Sequence, residues 1–442
     1  MNAILSAIAS HGCPCGKDHV FSSRVIVEEG AIRRLPTILE QEGFRRVYLL
    51  ADPNTYRAAG ADVTRILKDS GIAVSEYVLP SGTPEPDEAN VGLAIMHFDP
   101  LVDAVIGVGS GVVNDISKIV AHTTGKPYII VATAPSMDGY ASATSSMTVK
   151  GLKISLSSKC ADIIVGDLDV LRQAPIKTML SGLGDMLAKY VSITEWRISH
   201  LVTGEYYCES IANLVRTSLK QCTDNAPGLL SRDTEAVRAV FEGLVLSGIT
   251  MNFAGCSRPA SGIEHYFSHV WDMRGVSLGT PVDTHGIQCA VGTYITARLY
   301  EELRRITPDR ERALSAWHSF DLPAWHARLS DFLGAGAEAI IALEQKERKY
   351  DPKKHEKRLE SILANWDAIL TVIDEELPTV QALDTLYEAV GMPRCAREIG
   401  IDPAILPLTF LTTKDIREKY ILSHLCLDLG VMDDILPKIP LQ

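Results

Sequence analysis

The chain has 442 residues, of which 46% are hydrophobic and 22% are charged, and this composition predicts a soluble globular protein of two domains. Its formal net charge of −12 and its pI near 5.5 argue against general affinity for nucleic acid or for an anionic membrane. A secretory pattern and a run of about eighteen apolar residues are both missing, so we expect a cytoplasmic protein without membrane insertion.

The N-terminal segment holds the one cluster of cysteines in the sequence. Nine cysteines are an odd number for a disulfide framework, and most stand in apolar contexts typical of reduced, buried thiols. Cys13 and Cys15 differ because His11 and His19 flank them. The segment predicts either a terminal metal site or a solvated, loosely packed stretch, and the second is the plainer interpretation.

The first third of the chain alternates short β-branched runs with helical segments, which predicts an α/β fold with a doubly wound, Rossmann-like parallel sheet. The period-two alternation around Lys150-Gly151 predicts a β-hairpin within this part. We therefore expect an α/β dinucleotide-binding domain over residues 1–175. The predicted strands cover residues 25–30, 47–52, 74–79, 104–109, 128–133 and 162–167.

From Ile176 onward, apolar residues recur at three- and four-residue spacing, which predicts an all-helical second domain over residues 176–442. This domain is expected to bind metal and substrate. The dense charge run within 337–376 predicts an exposed helix pair broken near Asp351-Pro352. The expected ligand site is the crevice between two domains, and a homodimer is the plain expectation for the assembly.

A glycine-rich turn follows the strand at 104–109. Gly107, Gly109 and Gly111 precede a helix whose first turns hold Asn114 and Asp115, so backbone N–H groups at that helix start could approach a diphosphate. The spacing departs from G-x-G-x-x-G, and a tight turn that needs small residues is the competing interpretation.

Two further segments strengthen the nucleotide interpretation. Asp52 ends an earlier strand, where a carboxylate can accept hydrogen bonds from a ribose diol. The loop after the strand at 128–133 contains hydroxyls and small residues that could bind the nicotinamide and its ribose, while Asp138 could face substrate hydroxyls. An Asp-Gly pair such as Asp138-Gly139 is also a common turn.

The metal prediction rests on three histidines and a carboxylate. His265 and His269 are one helical turn apart, and His285 precedes Gly286 at the start of another apolar helix. Asp185 lies upstream in SGLGDMLAKY. Imidazoles on facing helices, together with a carboxylate, can form a divalent-metal site without cysteine. Each of these residues alone would more simply be a core histidine or a helix-end charge.

Five segments together resemble the sn-glycerol-1-phosphate dehydrogenases of the bacterial branch, within the superfamily of glycerol dehydrogenases, iron-type alcohol dehydrogenases and dehydroquinate synthases. They are GVGSGVVNDISK, TAPSMDGYAS, GLGDMLAKY, SRPASGIEHYFSH and THG, and SRPASGIEH is the most specific. The resemblance implies NAD(P)-dependent hydride transfer between a nicotinamide cofactor and dihydroxyacetone phosphate or sn-glycerol 1-phosphate.

The resemblance also implies roles for individual residues. Asp185, His265 and His285 would hold a divalent metal, His269 would contact substrate and relay a proton, and Asp138 would bind substrate. Asp185 would thereby touch the substrate as well. The implied cofactor-binding residues are Asp52, Gly109, Ser110, Gly111, Val112, Val113, Asn114, Asp115, Thr133, Ala134, Pro135, Ser136 and Ser142.

Other features stay open at the level of sequence. Lys189 stands where iron-type alcohol dehydrogenases have a fourth ligand, which favours a three-ligand site for zinc, nickel or iron. Asp52 favours NAD without excluding NADP. The substrate phosphate needs a cation, and Arg258, Lys189 and Arg274 are candidates that could equally be internal ion-pair partners.

Three other functions compete with the leading hypothesis. A lyase of the dehydroquinate synthase type would be expected to have a glutamate as first metal ligand and more basic residues around it. A dehydrogenase of unphosphorylated polyols such as glycerol would keep the same ligands. A degenerate nucleotide-binding regulator would have no reason to keep all of them.

Overall fold

A computed structural model describes residues 12–80, 84–149 and 152–440, apart from the side chains of Leu152 and Lys153. His11 and the predicted hairpin turn at Lys150-Gly151 lie outside the described residues. The chain forms two compact units, which are Met1–Met186 with Asn213–Cys256, and Leu187–Ala212 with Ser257–Gln442. Both units are thus discontinuous in sequence, whereas the sequence pattern predicts a single boundary after residue 175.

The first unit is built on a six-stranded sheet whose strand pairs are all parallel. Its strands are β1 Arg24–Glu28, β2 Arg46–Ala51, β3 Ala73–Val78, β4 Ala104–Gly109, β5 Tyr128–Ala132 and β8 Ile163–Asp167. Each begins within a residue of its predicted start. Their order across the sheet is β1-β8-β5-β4-β2-β3. Strand β6 Thr144–Val149 pairs antiparallel with β7 Leu152–Ser157, so the hairpin is also confirmed.

Burial explains why these strands could be found in the sequence. Every residue of β4, β5 and β8 is buried, as expected for parallel strands that helices cover on both faces. Such strands are near-continuous runs of Val, Ile and Leu. Side chains from several strands meet in one apolar core, including Leu49, Ile106, Ile129 and Val165.

The helices of the first unit connect and cover the strands. They are α1 Leu35–Gln41, α2 Pro53–Thr55, α3 Ala61–Asp69, α4 Glu88–Met96, α5 Gly111–Thr124, α6 Leu168–Leu171 and α7 Ile176–Leu187, whose last residue belongs to the second unit. Helix α8 Lys189–Thr203 belongs to the second unit. The chain returns to the first unit within α9 Glu209–Asn225, and α10 Thr234–Ala254 is the last helix of the first unit.

Helix α10 is long and apolar enough to cross a membrane by length and composition, but 72% of its apolar window is buried inside the protein. The ring of Phe241 packs against Gly166 of β8, at a place where any side chain on Gly166 would collide with it. This contact identifies α10 as a core helix of the sheet unit.

The described part of the second unit contains helices and no strand, as the sequence predicts. Its remaining α-helices are α11 Ile263–Leu278, α12 His285–Leu303, α13 Arg310–His318, α14 Leu322–Leu333, α15 Ala337–Glu347, α16 Pro352–Ala364, α17 Trp366–Glu376, α18 Val380–Val390, α19 Leu406–Thr413, α20 Leu422–Asp428 and α21 Met432–Ile435. Short 3₁₀ turns across the chain are Ala31–Arg34, Gly139–Ala141, Ala226–Leu229, Gly334–Gly336, Ala396–Ile399, Pro403–Ile405 and Leu436–Lys438.

The predicted break near Asp351-Pro352 is confirmed. Helix α15 ends at Glu347, and Arg348 takes a left-handed conformation with a φ of 50°. Asp351 then caps α16, because its carboxylate accepts a hydrogen bond from the Lys353 N–H. Pro352 occupies the first helical position, where a missing N–H does no harm.

Candidate functional site

The sheet of the first unit has a switch point between β2 and β4. From β2 the chain moves to β3 at one edge, and after β3 it returns to pair β4 on the other side of β2. Connections that leave in opposite directions open a crevice outside the carboxyl ends of the two strands. Asp52 directly follows β2, and the Ser110-Gly111 turn directly follows β4, so both border this crevice.

Asp52 is buried and caps α2. Its Oδ1 accepts hydrogen bonds from the backbone N–H groups of Asn54 at 2.7 Å and Thr55 at 3.0 Å, and the Thr55 side chain bonds back to the Asp52 backbone. This capping box fixes the carboxylate at the strand end. A fixed carboxylate beside the switch point suits a ribose diol, although capping alone would also explain an aspartate here.

The start of α5 is arranged as an anion-binding helix end. The first intrahelical hydrogen bond joins the Asn114 N–H to the Ser110 carbonyl at 2.8 Å, so the N–H groups of Gly111, Val112 and Val113 precede it. The Ser110 side chain makes no capping bond to the described residues. A side chain on Gly109 would collide with Val113, so glycine is needed there. These N–H groups and the helix dipole fit a diphosphate.

Lys118 has a role that the sequence does not indicate. It is fully buried, and its ammonium donates to the Gly139 carbonyl at 2.5 Å, to the Ser142 hydroxyl at 3.0 Å and to the Thr144 carbonyl at 3.0 Å. Burial lowers the pKa of Lys118, and the nearby Asp115 carboxylate opposes that shift. The lysine therefore fixes the loop that contains Ser142 against α5.

The Thr133–Ser136 loop is held from two further sides. The Tyr140 hydroxyl donates to the Ala134 carbonyl at 2.6 Å, and the Ser181 hydroxyl of α7 donates to the Ser136 carbonyl at 3.1 Å. Gly182 allows α7 to approach this closely, because a Cβ there would lie only 1.9 Å from the Pro135 carbonyl oxygen. These contacts fix the position of the loop that is predicted to bind the nicotinamide.

Asp138 and Asp185, predicted as substrate and metal residues, are neighbours in the first unit. The Asp138 N–H donates to Asp185 Oδ2 at 3.0 Å, and Asp138 Oδ2 accepts a hydrogen bond from the Ser247 hydroxyl at 2.8 Å. Asp185 is fully buried. Gly248 of α10 lets the helix pack directly against the Asp138 backbone. The assignment of Asp185 as a metal ligand rests on its sequence motif.

The three predicted histidines come together within the second unit. The ring centroids of His265 and His285 are 5.0 Å apart, those of His269 and His285 are 5.9 Å apart, and those of His265 and His269 are 6.4 Å apart. Close packing of α11 on α12 brings this about. It depends on Gly292, where any Cβ would lie 2.6 Å from the Glu264 carbonyl oxygen.

Glu264 orients His265, a role that was not predicted from the sequence. The carboxylate Oε1 of Glu264 accepts the Nδ1–H of His265 at 2.8 Å and the Gly262 N–H at 2.7 Å. A histidine held through Nδ1 presents Nε2 as the metal-binding atom, and a carboxylate partner increases its basicity. The adjacency of Glu264 and His265 gives no sign of this contact, because neighbouring helical residues normally face different directions.

Behind Glu264 lies a second buried acid. Glu195 accepts hydrogen bonds from the backbone N–H groups of Ile263 and Leu422, each at 2.8 Å. Burial, and secondarily the charge of Glu264, raises the pKa of Glu195 to about 8. The start of α11 is therefore tied to the helix that carries Glu195.

Cys289 joins the histidine pair and was not predicted. Donor atoms of His265, His285 and Cys289 all lie within 4.8 Å of one another, and the Cys289 sulfur is 3.6 Å from His285 Nε2. Burial alone would raise the pKa of the Cys289 thiol, but the two neighbouring histidines outweigh it and the net shift is downward. The i, i+4 spacing of His285 and Cys289 was the signal that could have revealed it.

This donor set fits a divalent transition metal. Imidazole and thiolate both suit zinc, iron and nickel, and the Glu264 carboxylate supplies the outer hydrogen bond that metal-binding histidines typically have. His285 is further placed by the Ser268 hydroxyl, 3.1 Å from its Nδ1.

The proposed phosphate cations are used structurally. Arg258 is buried, and its guanidinium bonds Glu205 at 2.6 and 2.9 Å, the Ser199 hydroxyl and the Tyr420 carbonyl. Lys189 is buried and donates to the Ala260 carbonyl, while Arg274 stacks 4.2 Å above Phe332. The alternative of internal partners is the one that the structure supports. A basic residue considered alone in a sequence does not show whether its charge is paired inside the protein or faces a ligand.

Comparison with known proteins agrees with this architecture. Residues 26–175 match the family described as iron-containing alcohol dehydrogenase. The structure of a glycerol dehydrogenase from Schizosaccharomyces pombe is similar with a TM-score of 0.62 and 18% identity, over 96% of this chain and 92% of that one. The chain thus has the fold of that glycerol dehydrogenase, and residues 26–175 are similar to the iron-containing alcohol dehydrogenases.

Two relatives by sequence narrow the class. A glycerol-1-phosphate dehydrogenase (NAD(P)+) from Halalkalibacterium halodurans is 33% identical over 298 residues, or 66% of this chain and 75% of that protein. One from Geobacillus thermodenitrificans is 26% identical over 412 residues, or 92% and 93% of the two chains. The chain belongs to the glycerol-1-phosphate dehydrogenase family, and the resemblance drawn from its motifs is confirmed.

Proposed function

We propose that this protein is a metal-assisted, NAD(P)-dependent oxidoreductase that interconverts dihydroxyacetone phosphate and sn-glycerol 1-phosphate. The observation that carries the proposal is the pairing of His265 with His285, backed by the Glu264 carboxylate, in a chain whose relatives carry that enzyme name. Family membership gives the reaction, and the paired rings supply the chemistry that the reaction needs.

The metal in this proposal is held by His265, His285 and Asp185, with zinc as the first choice and nickel or iron as alternatives. A divalent ion there supplies a Lewis acid that polarises the substrate carbonyl. The role of Asp185 follows from the GLGDMLAKY motif. Cys289 stands close enough to His285 to act as a further soft donor.

The cofactor residues of the proposal border the switch point of the sheet. Asp52 receives the ribose hydroxyls, the N–H groups at the start of α5 receive the diphosphate, and the loop Thr133–Ser136 with Ser142 holds the nicotinamide end. The carboxylate of Asp52 favours NAD over NADP, because a 2′-phosphate would be repelled there. The bound nicotinamide supplies the hydride.

Two side chains act on the substrate in this proposal. Asp138, whose carboxylate the Ser247 hydroxyl orients at 2.8 Å, accepts a hydrogen bond from a substrate hydroxyl. His269, half-buried and 5.9 Å from His285 between ring centroids, donates the proton to the oxygen that becomes the new hydroxyl.

The reaction is tested by NADH and NADPH oxidation with dihydroxyacetone phosphate and with dihydroxyacetone. We expect strong preference for the phosphorylated ketone, and a product that an sn-glycerol-3-phosphate-specific dehydrogenase does not oxidise. Equal or faster turnover of the unphosphorylated ketone would instead identify a polyol dehydrogenase. Ring closure of a phosphorylated sugar without net NADH consumption would identify a lyase.

The ligand roles are tested by metal content. Asp185→Asn, His265→Ala and His285→Ala should each lower bound metal and turnover together, whereas His269→Ala should keep the metal and lose turnover. Retention of full metal content in Asp185→Asn would remove Asp185 from the ligand set.

We further propose a cytoplasmic homodimer whose product enters phospholipid biosynthesis. The support is the acidic composition of the chain and its membership of the glycerol-1-phosphate dehydrogenase family. Light scattering after size-exclusion chromatography checks the assembly, and a monomer at working concentration would contradict it.

A further inference from the structure

Residues 12–19 of the first unit form a compact turn that the reaction does not use. Gly12 and Gly16 take left-handed conformations with φ values of 66° and 76°, and the Gly16 N–H donates to the Cys13 carbonyl at 3.0 Å. Residues with a side chain rarely adopt these angles, so the two glycines allow the chain to fold tightly around Cys13 and Cys15.

His19 completes a cluster with the two cysteines. The Cys15 sulfur lies 3.3 Å from His19 Nε2, and donor atoms of Cys13, Cys15 and His19 are all within 4.8 Å of one another. His19 is only 4% exposed, and its ring packs 5.1 Å from the ring of Phe253 on α10. The turn thus ends at His19, whose buried ring packs against the core of the unit.

This arrangement is not what a solvated, loosely packed segment would show. Such a segment has no reason to bring two thiols and an imidazole together or to bury the imidazole. In a tetrahedral zinc site with Zn–S bonds of about 2.3 Å, neighbouring sulfurs are about 3.8 Å apart. The observed spacing is compatible with that geometry after small side-chain movements.

We propose that Cys13, Cys15 and His19 form a second metal site, of structural type and selective for zinc. Two thiolates and one imidazole are a soft donor set, whereas the ligands proposed for catalysis are two imidazoles and a carboxylate, with Cys289 as one further donor. When the ion binds, both thiols release their protons to solvent and coordinate the metal as thiolates. A fourth ligand completes the tetrahedron.

The expected consequence is a fixed N-terminal segment. The ion links the turn at Cys13 and Cys15 to His19, which in turn rests on Phe253 of α10. Lys17 lies exposed within this turn, and trypsin needs a flexible chain to cut after it. Cleavage after Lys17 should therefore be slow in the metal-loaded protein and fast after the ion is removed.

The test compares metal content between intact protein and variants, after zinc loading and desalting under reducing conditions. Cys13→Ser/Cys15→Ser should lose about one zinc per chain relative to the unsubstituted protein, as a closed structural site requires. Cys256→Ser, at an exposed cysteine outside the cluster, is the matched control and should lose none. Equal zinc content in the double variant and the control would overturn the proposal.

A variant without the catalytic histidines separates zinc at this site from zinc at the catalytic site. In a His265→Ala/His285→Ala protein, zinc that remains must lie elsewhere, and we expect about one ion per chain that disappears when Cys13 and Cys15 are also replaced. Turnover plays no part in this readout, so a wrong assignment of the reaction leaves the result intact. Absence of zinc from this background would count against the site.

Mass-spectrometric mapping of alkylated cysteines gives an independent readout. In the His265→Ala/His285→Ala protein, zinc should protect Cys13 and Cys15 from alkylation, chelation should expose them, and any further cysteine protected in parallel is the fourth ligand. Cobalt loading of the same protein should produce thiolate-to-metal absorption that is lost when Cys13 and Cys15 are also replaced. A Cys13–Cys15 disulfide in the protein kept under reducing conditions would refute the site.

Discussion

Gly182→Ala should destabilise the sheet unit, although alanine normally favours a helix. Gly182 lies within α7, and a Cβ built on it is 1.9 Å from the Pro135 carbonyl oxygen and 2.8 Å from the Pro135 carbonyl carbon. An uncrowded contact needs about 3.5 Å, so helix and loop must separate by about 1.5 Å. The obstacle is backbone, which cannot rotate away as a flexible side chain could.

The magnitude follows from two opposing effects. Helix propensity favours alanine by about 1 kcal/mol, whereas overpacking of this kind costs about 3 kcal/mol, so the net loss should be about 2 kcal/mol. For a unit of this size, that loss lowers Tm by about 4–8 °C. Because the displaced loop is the proposed nicotinamide site, the Kd for NADH should also rise roughly tenfold.

Gly92→Ala is the matched control for this experiment. Gly92 lies in α4, and a Cβ there meets no described atom within 4 Å. Helix propensity is the one effect expected at this position, so Tm should rise by about 2–4 °C and the affinity for NADH should not change. Thermal unfolding by circular dichroism and fluorescence titration with NADH measure both variants. A Gly182→Ala protein as stable as Gly92→Ala would refute the steric reasoning.

Three other variants test the remaining contacts. Lys118→Met removes three hydrogen bonds that the ammonium donates to the Gly139–Thr144 loop, so the unfolding free energy in urea should fall by about 3 kcal/mol and NADH should bind more weakly; unchanged values would contradict this. Glu264→Gln should weaken metal binding about 10–100-fold in competition with a chelator, because His265 loses its charged partner, and equal affinity would exclude that role. Burial lowers the folded-state pKa of Lys349 to about 8 from 10.5. Between pH 8 and 10.5 the lysine is protonated in the unfolded chain but largely neutral in the folded protein, so its contribution to stability rises by about 3 kcal/mol as the pH increases through that range. Lys349→Met should therefore make Tm less dependent on pH there. The same dependence of Tm on pH in the variant and the unsubstituted protein would contradict this.

Much of the fold could be predicted because its signals are local. The buried strands β4 and β5 are continuous apolar runs, and the helix break at Asp351-Pro352 is written in the capping residue and the proline. The neighbouring positions of His265 and His269 follow from helical periodicity alone. In each case the relevant atoms are only a few residues apart.

The rest depended on contacts between residues far apart in sequence. Nothing in the sequence around Lys118 indicates that its ammonium fixes a loop more than twenty residues away, and nothing near Arg258 distinguishes a buried ion pair with Glu205 from a phosphate ligand. Cys289 was within reach of sequence reasoning, because it lies one turn beyond His285. It was missed because an isolated cysteine in an apolar helix usually indicates packing.

The position of α10 in the sequence has a consequence for biosynthesis. Phe241 fills the space beside Gly166, and Ser247 bonds Asp138, yet the stretch Leu187–Ala212 is translated before either of these α10 residues. A ribosome that has released all six strands still holds back the helix whose Phe241 packs against β8. Until α10 is made, that part of the sheet stays uncovered, so a fragment that ends at residue 175 should be more prone to aggregate than the complete chain.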